Sequence, residues 1–420
     1  MTHHPMQAKS QSALSKMDAQ SSKRSLQDRV WQALLTRMLS GLKGGALVVS
    51  LPSGCHLTFG ESGFAPIVIS VTSNRLLFKV FSGNPLALAE GNLQGYWSCS
   101  DQVALFILLQ KNRHILDRAL RSDWLTRLMA KYQHKGRSNT RTGSRRNIAF
   151  HYDLGNDFYR LWLDETMTYS AAYGLSGTSQ DDLVQAQLKK YARVLELLDL
   201  DSQSSVLEIG CGWGSMALTA AAAGHKVKGV TLSREQLAFA QDKVIQKGLA
   251  EQVDLSLTDY RDVAGVYDGI VSIEMIEAVG QENWPEYFQK IRQSLKPGGR
   301  AVIQAITIAD DHFDHYRNNV DFIQHYIFPG GFLPSPQGLE EEAAKQGLLI
   351  KQQEFFGADY ARTLAHWRQA FLSHWPEIEA LGFDARFKRM WLYYLDYCEA
   401  GFWQGSIDVG FFVIEKPANG

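Results

Sequence analysis

The sequence predicts an α/β protein: a larger domain built on a mostly parallel, seven-stranded sheet, preceded by a smaller α+β domain. Three observations carry this. First, residues 204–241 read SSVLEIGCGWGSMALTAAAAGHKVKGVTLSREQLAFAQ. There an apolar run at 206–209 meets Gly210, Gly212 and Gly214 and then a helical stretch at 215–223. Second, apolar runs recur at 227–231, 253–257, 267–272, 300–306, 349–355 and 409–415. These are buried strands by pattern, and the runs at 206–209 and 227–231, with the helical stretch between them, make the right-handed βαβ unit of a Rossmann-like sheet. Third, residues 46–59 alternate apolar and polar around Pro52-Ser53-Gly54, the signature of a hairpin with one solvated face.

Composition bounds the reading. A length of 420 residues suggests two or three domains, and a hydrophobic content of 45% is enough for ordinary cores. The formal net charge is -1, which gives no argument for nucleic acid. Cys55, Cys99, Cys211 and Cys398 are scattered and form no metal-type pairs. The polar N-terminus lacks a signal-like apolar core, and no window approaches the ~20 apolar residues of a spanning helix. A reduced, cytoplasmic, soluble protein is expected.

In chain order, residues 1–25 read as a disordered tail rich in Ser, Gln and His. A helix is expected at 27–40 with Val30, Leu34, Leu35 and Met38 on its apolar stripe. Strands are expected at 46–51, 56–59, 67–71 and 76–81, then helix at 86–93 and over most of 103–129. Residues 26–130 thus form an α+β domain whose interior is either plain core or room for a lipid tail. Residues 131–146 are a basic linker carrying Lys131, Lys135, Arg137, Arg141, Arg145 and Arg146. It is either a solvated hinge or a surface drawn to anionic phospholipid. Residues 147–420 hold the seven-stranded sheet. In them a helix at 284–295 should stop at Lys296-Pro297-Gly298-Gly299, and aromatic-rich insertions at 308–346 and 359–401 should cap the C-terminal ends of the strands, where ligands bind in such sheets.

The glycine turn has no third glycine at the dinucleotide spacing, and Glu208 lies in the strand just before it. Strand-Glu-x-Gly-x-Gly-x-Gly resembles the first motif of S-adenosylmethionine-dependent methyltransferases; the plain alternative is a strand-to-helix turn with a partly buried glutamate. Upstream, His151-Tyr152-Asp153, Gly155-Asn156, Phe158-Tyr159 and Tyr169-Ser170 resemble the hallmark of the cyclopropane fatty acid synthase family, which includes the mycolic acid cyclopropane synthases. The resemblance runs on through GCGWG, GVTLSREQ, DYRD, IEMIEAVG, YIFPGGFLPS, YARTLAHW and FKRMWLYYLDYCEAGF. The N-terminal LPSG…FG…LALAEGNLQGYW resembles, more loosely, the extra lipid-binding-like domain of the bacterial phospholipid enzymes.

That resemblance implies a Rossmann-like methyltransferase domain and its site residues. Tyr169, Ser170 and Glu208 fall at the cofactor's methionine end, and Gly210, Gly212 and Gly214 form the turn beneath it. Thr231 and Gln236 fall where many methyltransferases hold ribose, and Asp259 and Tyr260 fall on the adenine loop. Unaided by the resemblance, Thr231 reads as a helix cap and Gln236 as an exposed side chain. The implied reaction transfers a methylene group to the double bond of an unsaturated phospholipid acyl chain, through a carbocation that aromatic faces suit. The implied base is a bound bicarbonate held by Glu277, Tyr360 and Cys398, with the family pattern falling on Glu277 and not on Glu274. Plain readings are a helix-start carboxylate, a core tyrosine and a small buried thiol. Two positions depart from the family: Ala171 stands for a cysteine, leaving its backbone amide, and Gln304 for a histidine, able to donate a hydrogen bond but not to carry a proton charge. Peripheral association with the inner face of the membrane is implied, and a homodimer is compatible with the reading. The alternatives are a fatty-acyl C-methyltransferase giving methyl- or methylene-branched chains and a non-catalytic lipid-binding protein.

Overall fold

The structure, a computed structural model, describes residues 26–115, 154–318 and 321–418. They belong to two units that divide between Ser122 and Asp123. The tail at 1–25, the basic linker at 131–146, the far part of the helix expected at 103–129, the residues His151 to Asp153 and the domain boundaries at 130 and 146 lie outside the described residues.

In the first unit a mixed sheet is ordered β2-β1-β3-β4. Its strands are β1 (Ala46–Ser50), β2 (His56–Gly60), β3 (Pro66–Val71) and β4 (Trp97–Cys99). The hairpin β1–β2 turns at Pro52-Ser53-Gly54, and β3 runs parallel to β1. Helix α1 (Leu26–Leu39) buries Asp28, Trp31, Leu35 and Leu39. The inward stripe is therefore not the expected one: Val30 is exposed, because Trp31, packed edge-on against Phe78 at 4.9 Å, sets the rotation. Residues expected as a strand at 76–81 form α2 (Asn74–Phe81) instead. The Ser73 hydroxyl accepts from the Arg75 amide and caps the helix start, a signal that outweighs the apolar run Leu76-Leu77-Phe78. Helices α3 (Ala87–Leu93) and α4 (Gln102–Lys111) complete the unit.

The second unit opens with a short helix α5 (Asn156–Arg160) and the long α6 (Gln180–Leu198), started by a capping box in which Ser179 and Asp182 satisfy each other's amides. Its seven-stranded sheet is ordered β10-β11-β9-β8-β5-β6-β7. The strands are β5 (Ser205–Ile209), β6 (Lys226–Thr231), β7 (Val253–Leu257), β8 (Tyr267–Ile273), β9 (Leu295–Ile308), β10 (Leu349–Phe355) and β11 (Ile407–Glu415). β5 pairs in parallel with both β6 and β8, and β8 with β9; β11 alone runs against its neighbours. Helices α7 (Ser215–Ala222), α8 (Arg234–Gln246), α9 (Trp284–Ser294), α10 (Asp310–Arg317), α11 (Pro336–Lys345), α12 (Gly357–Ser373), α13 (Trp375–Ala380) and α14 (Ala385–Gln404) complete it.

All seven strands fall where the apolar runs placed them. One boundary differs. Lys296-Pro297-Gly298-Gly299 does not separate helix from strand; it bulges out within β9, because Leu295 already pairs with Tyr267 and Arg300 resumes opposite Gly269. Among the described residues no helix is long and apolar enough to cross a membrane.

Candidate active site

The strand order reverses between β5 and β8, so the crevice at their C-terminal ends is the natural ligand position. On the β5 side, Gly210, Gly212 and Gly214 all have positive φ, at 82°, 51° and 89°. They do different work. A methyl on Gly210 would meet Met275 at 2.8 Å and one on Gly214 would meet Ala240 at 2.9 Å, so both are required by close packing. A methyl on Gly212 would meet nothing within 4 Å among the described residues, so its backbone is open on that side to them. Glu208, 4% exposed, leaves its buried Oε2 without a hydrogen-bond partner among the described residues. Burial pushes its carboxyl up to about 8 against one compensating bond from the Ala217 amide. A buried carboxyl with one unpartnered oxygen, just before an open glycine backbone, suits a cationic, amine-bearing ligand that would ionise it.

Beyond β6, Thr231 is not a helix cap. Ser233 caps α8, and the Thr231 hydroxyl accepts from the Ser233 amide at 3.2 Å and bonds Gln236 Oε1 at 3.3 Å. Gln236 is not exposed but 5% accessible, because it lies in the first turn of a helix whose start packs on the strand end. Past β7, the Asp259 carboxylate is held by a fork from Arg261, at 2.8 and 2.7 Å. This pair is buried on both sides, and the Arg261 guanidinium lies over the Tyr260 ring. The side chain of Asp259 therefore fixes the loop on which Tyr260 lies.

On the β8 side the geometry departs from the expected triad. Tyr360 donates to Glu274 Oε2 at 2.8 Å, not to a group shared with Glu277. Gln304 Nε2 donates to Glu274 Oε1 at 2.7 Å, and the Ala171 amide donates to the same oxygen at 2.9 Å. Glu274 is thus the residue that collects Tyr360, Gln304 and the Ala171 backbone. Glu277 sits one 3₁₀ turn later, where its Oε1 accepts from the Ile306 amide at 2.6 Å. Its carboxyl is pushed up to about 8 by burial and then by the nearby Glu274 charge. Cys398 lies close to Tyr360 and Tyr394, and burial raises its thiol, so it rests as a neutral thiol.

Sequence reasoning missed Lys190 altogether. It is fully buried on α6, and its Nζ donates to Ser170 Oγ at 2.6 Å. Burial lowers its ammonium to about 7, against the charges of Glu274 and Asp164, which raise it. Glu274 is correspondingly raised by burial, with the Ala171 amide and Lys190 opposing. A signal was there: Leu183, Ala186, Gln187, Lys190, Tyr191, Val194 and Leu197 fall on one helical stripe, which places a lysine on the inward face. Tyr169 also lies here, its hydroxyl 2.8 Å from that of Tyr394 and its ring against Trp162 and Trp367. Tyr360 stacks on Phe402 with centroids 4.5 Å apart.

The profile of the mycolic acid cyclopropane synthetase family matches residues 139–412. The chain belongs to this family. It is 40% identical over 331 residues to the tuberculostearic acid methyltransferase UfaA1 of Mycobacterium tuberculosis, covering 77% of each chain. It is 36% identical over 351 residues to the cyclopropane-fatty-acyl-phospholipid synthase of Escherichia coli K12, covering 81% of this chain and 86% of that one. Among solved structures, the cyclopropane synthase MmaA2 from Mycobacterium tuberculosis superposes with a TM-score of 0.60 at 31% identity, over 65% of this chain and 98% of that one. The mycolic acid cyclopropane synthase CmaA1, complexed with S-adenosylhomocysteine, matches at the same TM-score and identity, over 65% of this chain and 98% of that one. The chain is accordingly an S-adenosylmethionine-dependent methyltransferase of the cyclopropane synthase type.

Proposed function

We propose that this family member transfers a methylene group from S-adenosylmethionine to the double bond of an unsaturated phospholipid acyl chain and closes a cyclopropane ring. The observation that carries the reading is the wall of the β8 side. A buried carboxylate cluster is lined by Tyr169, Trp367, Tyr360, Tyr394 and Phe402 and adjoins the glycine turn. Methyl transfer to an alkene leaves a carbocation, which needs aromatic faces, little water and a base. The relatives named for cyclopropane-fatty-acyl-phospholipid and mycolic acid chemistry support a lipid acceptor.

In this reading Glu208 takes the amino group of the cofactor's methionine end, and the open backbone at Gly212 lets that end lie against the turn. Tyr169 and Ser170 approach the same end, Thr231 and Gln236 lie toward ribose, and the loop at Asp259 and Tyr260 lies toward adenine. The enzyme docks peripherally on the bilayer through the basic linker and the N-terminal domain. A second reading, methyl or methylene branching, is favoured by one observation: the 40% identity to a tuberculostearic acid methyltransferase.

The test is purified enzyme with labelled S-adenosylmethionine and vesicles of unsaturated phospholipid, followed by mass spectrometry of the released fatty acids. A gain of one methylene per double bond with a chromatographically cyclic product is expected. A branched product selects the second reading, and no label in any lipid removes both.

A further inference from the structure

The family resemblance implies bicarbonate as the base, yet the residues present do not fit that ion. The Tyr360 hydroxyl, the Gln304 amide and the Ala171 backbone N–H, the donors available to hold it, all point at Glu274. Glu277 spends one oxygen on the Ile306 amide, and an ionised Glu274 at the meeting point of the three donors would repel a second anion there. Cys398 rests as a neutral thiol.

We propose that Glu274 is itself the proton acceptor, a carboxylate supplied by the chain where an exogenous anion would otherwise sit. The inference rests on the reading above that a carbocation forms and must lose a proton. Three features of the structure support it. Two obligate donors, the Gln304 amide and the Ala171 N–H, meet on one oxygen of Glu274 and the Tyr360 hydroxyl is placed to donate to the other, a set that suits an ionised carboxylate. Lys190 is buried beside it and tied to Ser170, the residue next to the Ala171 amide, and its ammonium form favours an ionised Glu274. Finally, Glu274 has a φ of 48°, a left-handed backbone that favours glycine, and its amide is fixed to the Gln304 carbonyl at 2.8 Å. Strain of this kind is kept where a side chain is needed at one place.

The step balances as follows. The alkene electron pair forms a bond to the sulfonium methyl carbon as the carbon–sulfur bond breaks, and S-adenosylhomocysteine leaves neutral. The cation remains on the neighbouring carbon. Glu274 takes a proton from the new methyl group, and the freed C–H pair closes the ring. In the branched variant a hydride shift comes first and the same pair forms an exocyclic double bond. The proton passes from Glu274 to water when product leaves. Tyr360, Gln304 and Lys190 are positioning residues.

The experiment has two arms on the full chain. In carbonate-depleted buffer, initial rates on unsaturated phospholipid vesicles are measured across a bicarbonate series. The unmutated chain gives a flat series. Glu274→Gln, which keeps shape but cannot take the proton, loses about 10²–10⁴-fold with cofactor affinity retained. Glu274→Gly relieves the backbone and leaves a hole, and added bicarbonate or formate restores part of its rate. The second arm needs no turnover: bicarbonate is titrated calorimetrically into chains saturated with S-adenosylhomocysteine. The unmutated chain gives no binding heat and Glu274→Gly binds one ion. If Glu274→Gly does not fold, Glu274→Gln carries the first arm and the unmutated chain the second. Bicarbonate binding to the unmutated chain, a bicarbonate-dependent rate in it, or full turnover by Glu274→Gln overturns the proposal. An unmutated chain that turns over no phospholipid counts against the substrate reading, and the titration then decides the base by itself.

Discussion

At the end of β5 the Glu208 carboxyl keeps one buried oxygen without a partner, whereas beyond β8 the Glu274 carboxyl is held on both oxygens, although Glu277 and Gln304 beside it each keep one buried oxygen unpartnered among the described residues. Among the described residues Glu208 leaves one buried oxygen without a partner and Gly212 has nothing within 4 Å of where a side chain would stand. Glu274, across the crevice, has both oxygens occupied by groups from three other segments. In the proposed reading the first half takes a ligand that arrives and leaves with each turnover. The second holds a carboxyl of the chain itself between fixed donors, on a backbone with a left-handed φ of 48°. Breaking either half should therefore give a different phenotype.

The largest effect is expected at Gly212. Gly212→Val would put a branched side chain into the ligand's space, and S-adenosylmethionine affinity should fall by ~1,000-fold or more, about 4 kcal/mol. A positive φ also makes the substitution strained by itself, so a matched control is needed. Gly224 has a φ of 95° and likewise nothing within 4 Å, but it lies past the far end of α7. Gly224→Val should lose similar stability in a thermal melt and keep cofactor affinity by calorimetry. Equal affinity loss in both variants would show that Gly212 acts through strain and not as a cradle.

The two halves also differ in how far the sequence reveals them. The open half is local. Strand, Glu208, glycines and helix follow one another within a dozen residues, so their joint geometry is set by a single βαβ unit. The paired half is not: Ala171, Lys190, Glu274, Gln304 and Tyr360 come from five segments and meet only through the sheet order and the packing of α6 and α12. Motif position pointed to Glu277; three residues earlier, the left-handed turn at Glu274 sends that side chain to Tyr360 instead. In the N-terminal unit the same limit appears in small. The run 76–81 has strand composition, but its neighbour Ser73 supplies a helix cap, and a local hydrogen bond decided what hydrophobicity could not.

A middle-sized effect concerns the open half and pH. The Glu208 carboxyl rises from its ordinary 4.5 to about 8 because burial disfavours the charge. A raised value means the protonated form favours the fold. Its contribution is fully present below pH 4.5 and is lost as pH rises through about 8. Between pH 5 and pH 8 the cofactor-free chain should lose on the order of 3 kcal/mol of stability from this group, and Glu208→Gln should flatten that slope in chemical denaturation. With S-adenosylmethionine bound, the amine should hold Glu208 ionised, so binding near pH 7 should release a proton, readable by calorimetry in buffers of different ionisation heat. A pH-independent stability, the same in both chains, would mean that Glu208 finds a partner without the cofactor.

The smallest effect belongs to the paired half, where Lys190 and Glu274 titrate against one another. Burial lowers the ammonium to about 7 and raises the carboxyl, while Glu274 and Asp164 favour the charged lysine and the Ala171 amide and Lys190 favour a charged Glu274. Lys190→Met removes the cation and keeps much of the volume. The carboxyl can then rise further and accept a proton, so a buried bare charge is avoided and the stability loss should be modest. Catalysis should respond differently: the acid limb of the rate profile should move to higher pH, by about one unit for each ~1.4 kcal/mol of lost attraction. The rate lost at neutral pH should return on raising the pH. In a chain that also carries Glu274→Gln, the Lys190 substitution should leave no limb to move. A Lys190→Met chain with an unchanged profile and a simple loss of stability would make Lys190 a packing residue and leave the ionisation of Glu274 to the Ala171, Gln304 and Tyr360 donors alone.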